Sequence, residues 1–219
     1  MNKTAILLGA TGLTGSILLQ KLINDNRYST IKLFSRNRLE GLPNKVEQHI
    51  GNLLHLENFK SDFTGDEIYC CIGTTAKKTP DKKQYKKIDV GIPVSAAKLA
   101  KENKIPSYLV ISALGADSKS RIFYNRIKGE MEEAILSENL KKTHLLQPSF
   151  IVGNRNEQRV GEKIGILLFR LIQPLLIGKL KKYRITKAED IAKAMIQLAN
   201  SDSSQVRVTS DSIASIANK

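Results

Sequence analysis

The chain has 219 residues and a mass of 24.4 kDa, which suffices for one domain with a well-buried core. Hydrophobic residues make up 41% and charged residues 26%, an ordinary globular balance that excludes disorder as the basis of function. The net charge of +14 suits a nucleic-acid or phosphate ligand, but the paired lysines are scattered, without interleaved aromatics or a helix-turn-helix pattern. Solvated lysine faces are favoured, and a nucleic-acid partner is not.

Runs rich in Ile, Val and Leu alternate with amphipathic stretches along the whole chain. This alternation predicts an α/β fold, a Rossmann-type doubly wound parallel sheet, in one domain over residues 1–219. The predicted strands are residues 3–8, 31–35, 46–50, 67–72, 108–112, 143–147 and 205–209. The predicted helices are residues 12–26, 81–103, 122–137 and 188–200. Residues 148–185 break the alternation and are predicted to be a small substrate-side insertion within the domain.

A glycine-rich loop follows the first predicted strand and opens the first helix. Glycines let the backbone approach a pyrophosphate, and the helix N-terminus presents N–H groups and a positive dipole end to it. A turn chosen only for its backbone shape is the alternative, disfavoured because strand, glycines and helix agree. The GxxGxxG spacing resembles short-chain dehydrogenases/reductases, especially their atypical, NAD(P)H-binding branch. The predicted cofactor contacts here are Gly9, Thr11, Gly12, Leu13, Thr14 and Gly15.

The end of the second strand bears on the choice of nucleotide. An NAD site places an acidic residue there, about 20 residues after the loop, whereas this chain has Ser35 and Arg36, with Arg38 close behind. Arginine offers planar donors and a permanent charge to a 2′-phosphate, so NADP(H) is the predicted cofactor. An exposed loop cation is the alternative for Arg36. Asn52, after the third strand, stands where relatives often have Asp near the adenine and is a weaker candidate.

The loop after the fourth strand is predicted to approach the ribose and nicotinamide through Cys71, Ile72, Gly73 and Thr74. Together with residues 112–117, 124–128 and 153–159, it resembles the CC3/TIP30 group of this family and its bacterial relatives, over nearly the whole chain.

Cys70 and Cys71 are the only cysteines, and neighbours in sequence rarely form a disulfide. They make an incomplete zinc set, so burial is favoured and no metal site is expected. A reducing compartment and the absence of a basic leader predict a cytoplasmic protein. Residues 164–177 are too short and too interrupted to cross a bilayer of about 30 Å, so no membrane span is expected.

Tyr124 and Lys128 stand four residues apart on a predicted helix and therefore share one face. The resemblance implies that Tyr124 is the acid/base and that Lys128 binds the ribose and stabilises the phenolate. An exposed pair on a lysine-rich helix is the alternative, since the YxxxK spacing arises readily by chance.

Ser112 is the candidate to hydrogen-bond a substrate carbonyl. Many relatives have a second serine where this chain has Ala113, so either Ser112 takes over that role or hydride transfer is impaired. Pro148, Ser149 and Phe150 resemble the family segment beside the nicotinamide, with Gln147 in place of the usual Arg. The charged residues that follow can equally form an ion-pair network and are assigned no catalytic role: Arg155, Glu157 and Arg159.

These features predict an NADPH-dependent oxidoreductase acting on a small carbonyl or similar substrate. A non-catalytic, NADP(H)-responsive binding or regulatory protein is the alternative, which Ala113 permits. A small-molecule substrate is the expected partner, and a homodimer is left open.

Overall fold

A computed structural model describes residues 2–153 and 176–219. Its centre is a sheet of seven parallel strands in the order β3-β2-β1-β4-β5-β6-β9, which is the doubly wound order predicted from the sequence. A separate parallel pair joins β7 to β8. The strand bounds are β1 Lys3–Leu8, β2 Tyr28–Ser35, β3 Val46–Ile50, β4 Glu67–Cys70, β5 Ser107–Ile111, β6 Lys142–Gln147, β7 Ile151–Val152, β8 Thr186–Lys187 and β9 Arg207–Thr209.

Helices cover both faces of this sheet. Their bounds are α1 Leu13–Ile23, α2 Lys82–Lys86, α3 Ile92–Glu102, α4 Phe123–Ser137, α5 Ala188–Ala199 and α6 Ser210–Ala217. A π-helical stretch, Lys87–Gly91, joins α2 to α3. Short 3-10 helices span Leu53–Phe59 and Gly178–Tyr183.

The central strands β1, β4 and β5 are largely apolar because both faces of the sheet are buried there, whereas the edge strands β3 and β9 carry exposed polar residues. In β1, Ala5 and Leu7 face the core beneath α1, α5 and α6, whereas Ile6 and Leu8 face the core beneath α3 and α4. All four side chains are fully buried. This arrangement leaves the loops at the carboxyl ends of the strands as the place where polar groups can gather.

The predicted strands are all present; residues 3–8 and 46–50 have the predicted ends, and the other five are shifted at one or both ends. The predicted helix over residues 81–103 is interrupted by the π-helical stretch. Helix α6 was not predicted, because its sequence, SDSIASIA, contains residues that favour caps and turns. It forms because Ile213 and Ala217 are buried in the fold.

The substrate-side segment is described in part. Residues 148–153 run into β7, which pairs with β8. Arg155, Glu157 and Arg159 lie outside the described residues. The assignment of the whole chain to one domain stays a prediction. Among the described residues, no helix combines the length and the apolar character needed to span a membrane.

Candidate dinucleotide and catalytic site

Loops from four strands meet at the carboxyl edge of the sheet. The glycine loop lies against the loop after β4, since a Cβ at Gly9 would stand 2.7 Å from the Cys71 carbonyl oxygen. The loops after β5 and β6 are joined by a hydrogen bond from the Leu114 N–H to the Pro148 oxygen, at 2.9 Å. A Cβ at Gly153 would lie 3.0 Å from the side chain of Leu13, which places the start of the substrate-side segment beside α1.

The three glycines of the first loop differ in why glycine is present. Gly9 has φ +86°, a left-handed conformation that favours glycine, and a Cβ at Gly15 would lie 2.0 Å from the Gly9 oxygen. Both are therefore required by the fold. Gly12 is exposed, and a Cβ there would meet only the Gly9 oxygen, at 3.3 Å.

Gly12 is also the N-cap of α1, and no side chain caps this helix end. The N–H groups of the first helical turn have no acceptor within the helix, and the dipole is positive there. An open backbone surface with unused donors fits a pyrophosphate. Thr11 is exposed on this loop, whereas Thr14 is buried.

The end of β2 presents exposed cations. The Ser35 side chain is buried, and its hydroxyl donates to the Asn37 carbonyl oxygen at 2.7 Å, which shapes the turn. Arg36 and Arg38 are exposed, and no carboxylate of the described residues lies within 4.0 Å of either charge. Asn52 caps the 3-10 helix by accepting the Leu54 N–H at 3.1 Å, so its amide N–H₂ is the group left for a ligand.

The loop after β4 is held by an internal network. Thr74 donates its N–H to Asp89 Oδ1 at 2.7 Å, and its hydroxyl bonds that of Thr79 at 2.8 Å. Gly73 is exposed, and a Cβ there would lie 3.8 Å from Asp89 Oδ2. Ile72 is half-buried in the same loop.

The two cysteines at the end of β4 are unsuited to thiolate chemistry. The Cys70 side chain is fully buried, and burial raises its pKa. Burial also raises the pKa of Cys71, which is adjacent in sequence. Both therefore remain thiols near neutral pH.

Lys128 forms a buried ion pair that the sequence analysis did not anticipate. Its Nζ lies 2.9 Å from Asp89 Oδ2, with the two side chains 4% and 1% exposed. Burial lowers the pKa of Lys128, but the Asp89 carboxylate, Tyr124 and Tyr85 together outweigh that effect and the net shift is upward, so the ammonium stays charged. Asp89 lies in the π-helical stretch, a distortion that often marks functional sites. The sequence did contain one signal for this pair: Asp89 is an acidic residue at a position of the predicted helix whose spacing indicates burial.

Tyr124 lies in the first turn of α4, one turn before Lys128, and is 42% exposed. The nearby phenol of Tyr85 is buried and donates to the Thr74 oxygen at 3.3 Å. Burial, reinforced by Asp89, raises the pKa of Tyr85 to about 12. Tyr124 is therefore the accessible phenol beside the Lys128 ammonium.

Ser112 is buried and donates its hydroxyl hydrogen to Glu132 Oε1 at 2.5 Å. Glu132, fully enclosed, also accepts from Gln147 Nε2 and from Arg207 Nε, each at 2.8 Å. Ser112 has one hydroxyl hydrogen, so donation to a substrate requires that it leave Glu132. The buried Ala113 offers no hydroxyl in its place.

The segment after β6 is tied to β8. Pro148 is buried, and the Ser149 hydroxyl donates to the Arg184 carbonyl oxygen. Because that hydroxyl bonds the Arg184 carbonyl, the Ser149 side chain points toward the substrate-side segment. Phe150 is 53% exposed.

Comparisons with known proteins agree with this architecture. No family model matches the chain. HTATIP2 of Rattus norvegicus is 30% identical over 172 residues, covering 77% of this chain and 71% of the rat protein. FMP52, mitochondrial, of Debaryomyces hansenii is 30% identical over 205 residues, covering 90% and 88%. FMP52 of Candida glabrata is 31% identical over 228 residues, covering 96% and 93%.

Solved structures share the fold at low identity. UDP-glucose 4-epimerase of Thermotoga maritima has a TM-score of 0.70 at 14% identity, over 94% of this chain and 76% of the epimerase. ADP-L-glycero-D-manno-heptose-6-epimerase of Helicobacter pylori has a TM-score of 0.69 at 14% identity, over 99% and 82%. These similarities establish the fold alone.

The relatives also correct one prediction. The assignment to the cytoplasm is wrong as stated, because several FMP52 relatives are mitochondrial by name. Cysteine usage and the first few residues say little about compartment, since a reduced thiol pair suits more than one. The glycine loop, the YxxxK pair and relatives at 30% identity over most of both chains together place this protein in the atypical, NAD(P)-binding branch of the short-chain dehydrogenases/reductases that contains HTATIP2 and FMP52.

Proposed function

We propose that this protein is an NADPH-dependent oxidoreductase that reduces a small carbonyl or similar group, with Tyr124 as the acid/base. The observation behind the proposal is the accessible Tyr124 phenol beside the buried, charged Lys128, at the edge where the open glycine loop also lies. A positioned phenol can act as a general acid toward a reacting oxygen, and a fixed ammonium beside it can stabilise the phenolate that forms.

The cofactor would lie along the carboxyl edge of the sheet. Gly12 and the uncapped start of α1 would hold the pyrophosphate, and Lys128 would bind the ribose. Arg36 and Arg38 would hold a 2′-phosphate, which favours NADP(H) over NAD(H). The enzyme WbmH of Bordetella bronchiseptica, which shares the fold, was solved in complex with NAD⁺, but its low sequence identity carries no cofactor preference over to this chain.

The proposed reaction balances as carbonyl plus NADPH plus a proton, giving an alcohol plus NADP⁺. The cofactor, when bound, supplies the hydride, which consists of one proton and two electrons. Tyr124 gives its phenolic proton to the carbonyl oxygen, and the Lys128 ammonium stabilises the phenolate that remains. Ser112 is proposed to hydrogen-bond that oxygen once its hydroxyl leaves Glu132.

The engagement of Ser112 favours a second candidate function. Its hydrogen points to Glu132 and its neighbour is Ala113, so the oxyanion position lacks a ready donor. A protein of this kind could bind NADP(H) tightly and respond to it without turnover. The two candidates share the cofactor and differ in the chemistry at Tyr124.

The test is a turnover screen of small aldehydes and ketones with NADPH, read beside cofactor affinity. Tyr124→Phe should keep NADPH binding and lose about 10²- to 10⁴-fold in kcat, because it removes one hydroxyl and leaves the ring. Arg36→Ala should weaken NADPH binding without changing NADH binding, and exposed Lys98→Ala is the matched control. Turnover of Tyr124→Phe at the wild-type rate would refute the mechanism. Tight NADPH binding without any substrate would favour the regulatory candidate.

A further inference from the structure

Five exposed cations occupy the two loops that flank Tyr124. Three precede or open α2, in the loop after β4, and two lie in the loop after β5 just before α4. We call this set the basic rim, and it consists of Lys77, Lys78, Lys82, Lys119 and Arg121.

Contacts of the loop after β4 place that part of the basic rim next to the proposed reaction centre, and on the other side Arg121 lies three residues before Tyr124. The Lys82 ammonium lies 5.5 Å from the ring centroid of Phe123, the residue that precedes Tyr124. The loop that contains Lys77 and Lys78 is tied to Lys128 through the Thr74 N–H and the Asp89 carboxylate. The rim therefore lies beside the exposed Tyr124 phenol.

The basic rim is not neutralised by neighbouring acids of the described residues. None of its charges has a carboxylate within 4.0 Å there, in contrast to Lys60, which is paired with Glu102 at 2.7 Å. Two acidic side chains of these loops accept hydrogen bonds from backbone N–H groups. Asp81 accepts the Gln84 N–H at 2.6 Å, and Asp117 accepts the Lys119 N–H at 2.9 Å.

We infer that the compound which reaches Tyr124 is an organic anion, with a carboxylate or a phosphate close to its reducible carbonyl. This inference rests on the proposed function and names its substrate class. Cations of one sign around an opening raise the local concentration of anions and speed their association, and salt screens the effect. Among the residues of the rim there is no row of aromatics on which bases could stack, so a small anion fits better than a nucleic acid.

The experiment compares isosteric probes that differ in charge. Purified protein loaded with NADPH is given 4-carboxybenzaldehyde, 4-formylphenyl phosphate and the neutral 4-formylbenzamide. Affinity is measured by calorimetry with NADP⁺ in place of NADPH, so that no turnover occurs, and kcat/KM is measured separately. The rim variant is Lys77→Gln/Lys78→Gln/Lys82→Gln. The control variant removes the same charge from exposed lysines distant from the rim: Lys98→Gln/Lys104→Gln/Lys141→Gln.

An anionic probe should bind about 10-fold more tightly than the amide at low salt, and the preference should approach unity near 1 M salt. The rim variant should lose the preference and the control should keep it. Equal affinities for all probes, failure of every probe to bind, or equal effects of the two variants would overturn the inference. If NADP⁺ and an anion bind but NADPH is never consumed, the oxidoreductase proposal fails while the affinity comparison still decides the substrate class. The relative affinity of the two anions separates a carboxylate from a phosphate ligand.

Discussion

The buried pair of Asp89 and Lys128 allows a sharp test of the site's electrostatics. Asp89→Asn keeps the size of the side chain and an oxygen that can accept the Thr74 N–H, at present 2.7 Å away. It removes the negative charge that faces the Lys128 ammonium at 2.9 Å and leaves an amide N–H₂, which cannot accept from the ammonium, in its place. Any loss of stability then reports on a charge left alone in the interior.

The expected loss is large because both side chains are almost fully buried. Removing one partner of a buried pair costs about 3 to 5 kcal/mol, since the remaining charge has lost its solvation and its counter-charge. An exposed pair contributes about 0 to 1 kcal/mol. Lys60 and Glu102 form such a pair at 2.7 Å, with side chains 60% and 49% exposed, so Glu102→Gln is the matched control.

Urea unfolding at pH 7 gives the free energy of unfolding for each variant. Asp89→Asn should lose about 3 kcal/mol or more and Glu102→Gln less than about 1 kcal/mol. Adding Lys128→Met to Asp89→Asn should recover much of the loss, because no lone charge remains. If Asp89→Asn costs no more than Glu102→Gln, the Asp89–Lys128 pair is solvated, and the argument that it is buried away from water is refuted.

Three further predictions concern other parts of the molecule. Gly12→Val should fold but lose at least about 10-fold in NADPH affinity, seen by fluorescence titration, whereas Gly15→Ala should fail to fold because its Cβ would lie 2.0 Å from a backbone oxygen. Glu67→Gln should lower the free energy of unfolding by about 2 to 4 kcal/mol, because this buried carboxylate accepts from Lys3, Tyr28 and Tyr69; an unchanged urea midpoint would contradict its role. Burial lowers the pKa of His144 below its ordinary 6.5. As the pH falls, the unfolded chain therefore binds the proton before the folded chain does. The free energy of unfolding should fall as pH drops below about 6.5, by at most about 1.4 kcal/mol per pH unit. His144→Phe should lose that component of the pH dependence between pH 7.5 and 5.5, and an identical profile would contradict it.

Parts of the site could be predicted because their logic is local. A strand, a glycine run and a helix follow one another between residues 3 and 23, so the glycine loop is a property of one short stretch. The spacing of Tyr124 and Lys128 places both on one face of α4. Asp89 and Glu132 were missed because each acts on groups far away in the chain: Asp89 pairs with Lys128, and Glu132 binds the side chains of Gln147 and Arg207.

The sequence by itself determined the α/β class, the parallel sheet, the glycine loop and the helix that bears Tyr124. It did so because hydrophobic periodicity and backbone preference act within a few residues and need no knowledge of distant neighbours. Only the tertiary structure decided that Ser112 gives its hydrogen to Glu132 and that Lys128 forms an ion pair with Asp89. Hydrogen bonds and ion pairs in a buried site depend on which loops the strand order brings together. Here that order sets β4 beside β1 and β5, so the partner of each polar group follows from packing and not from its position in the chain.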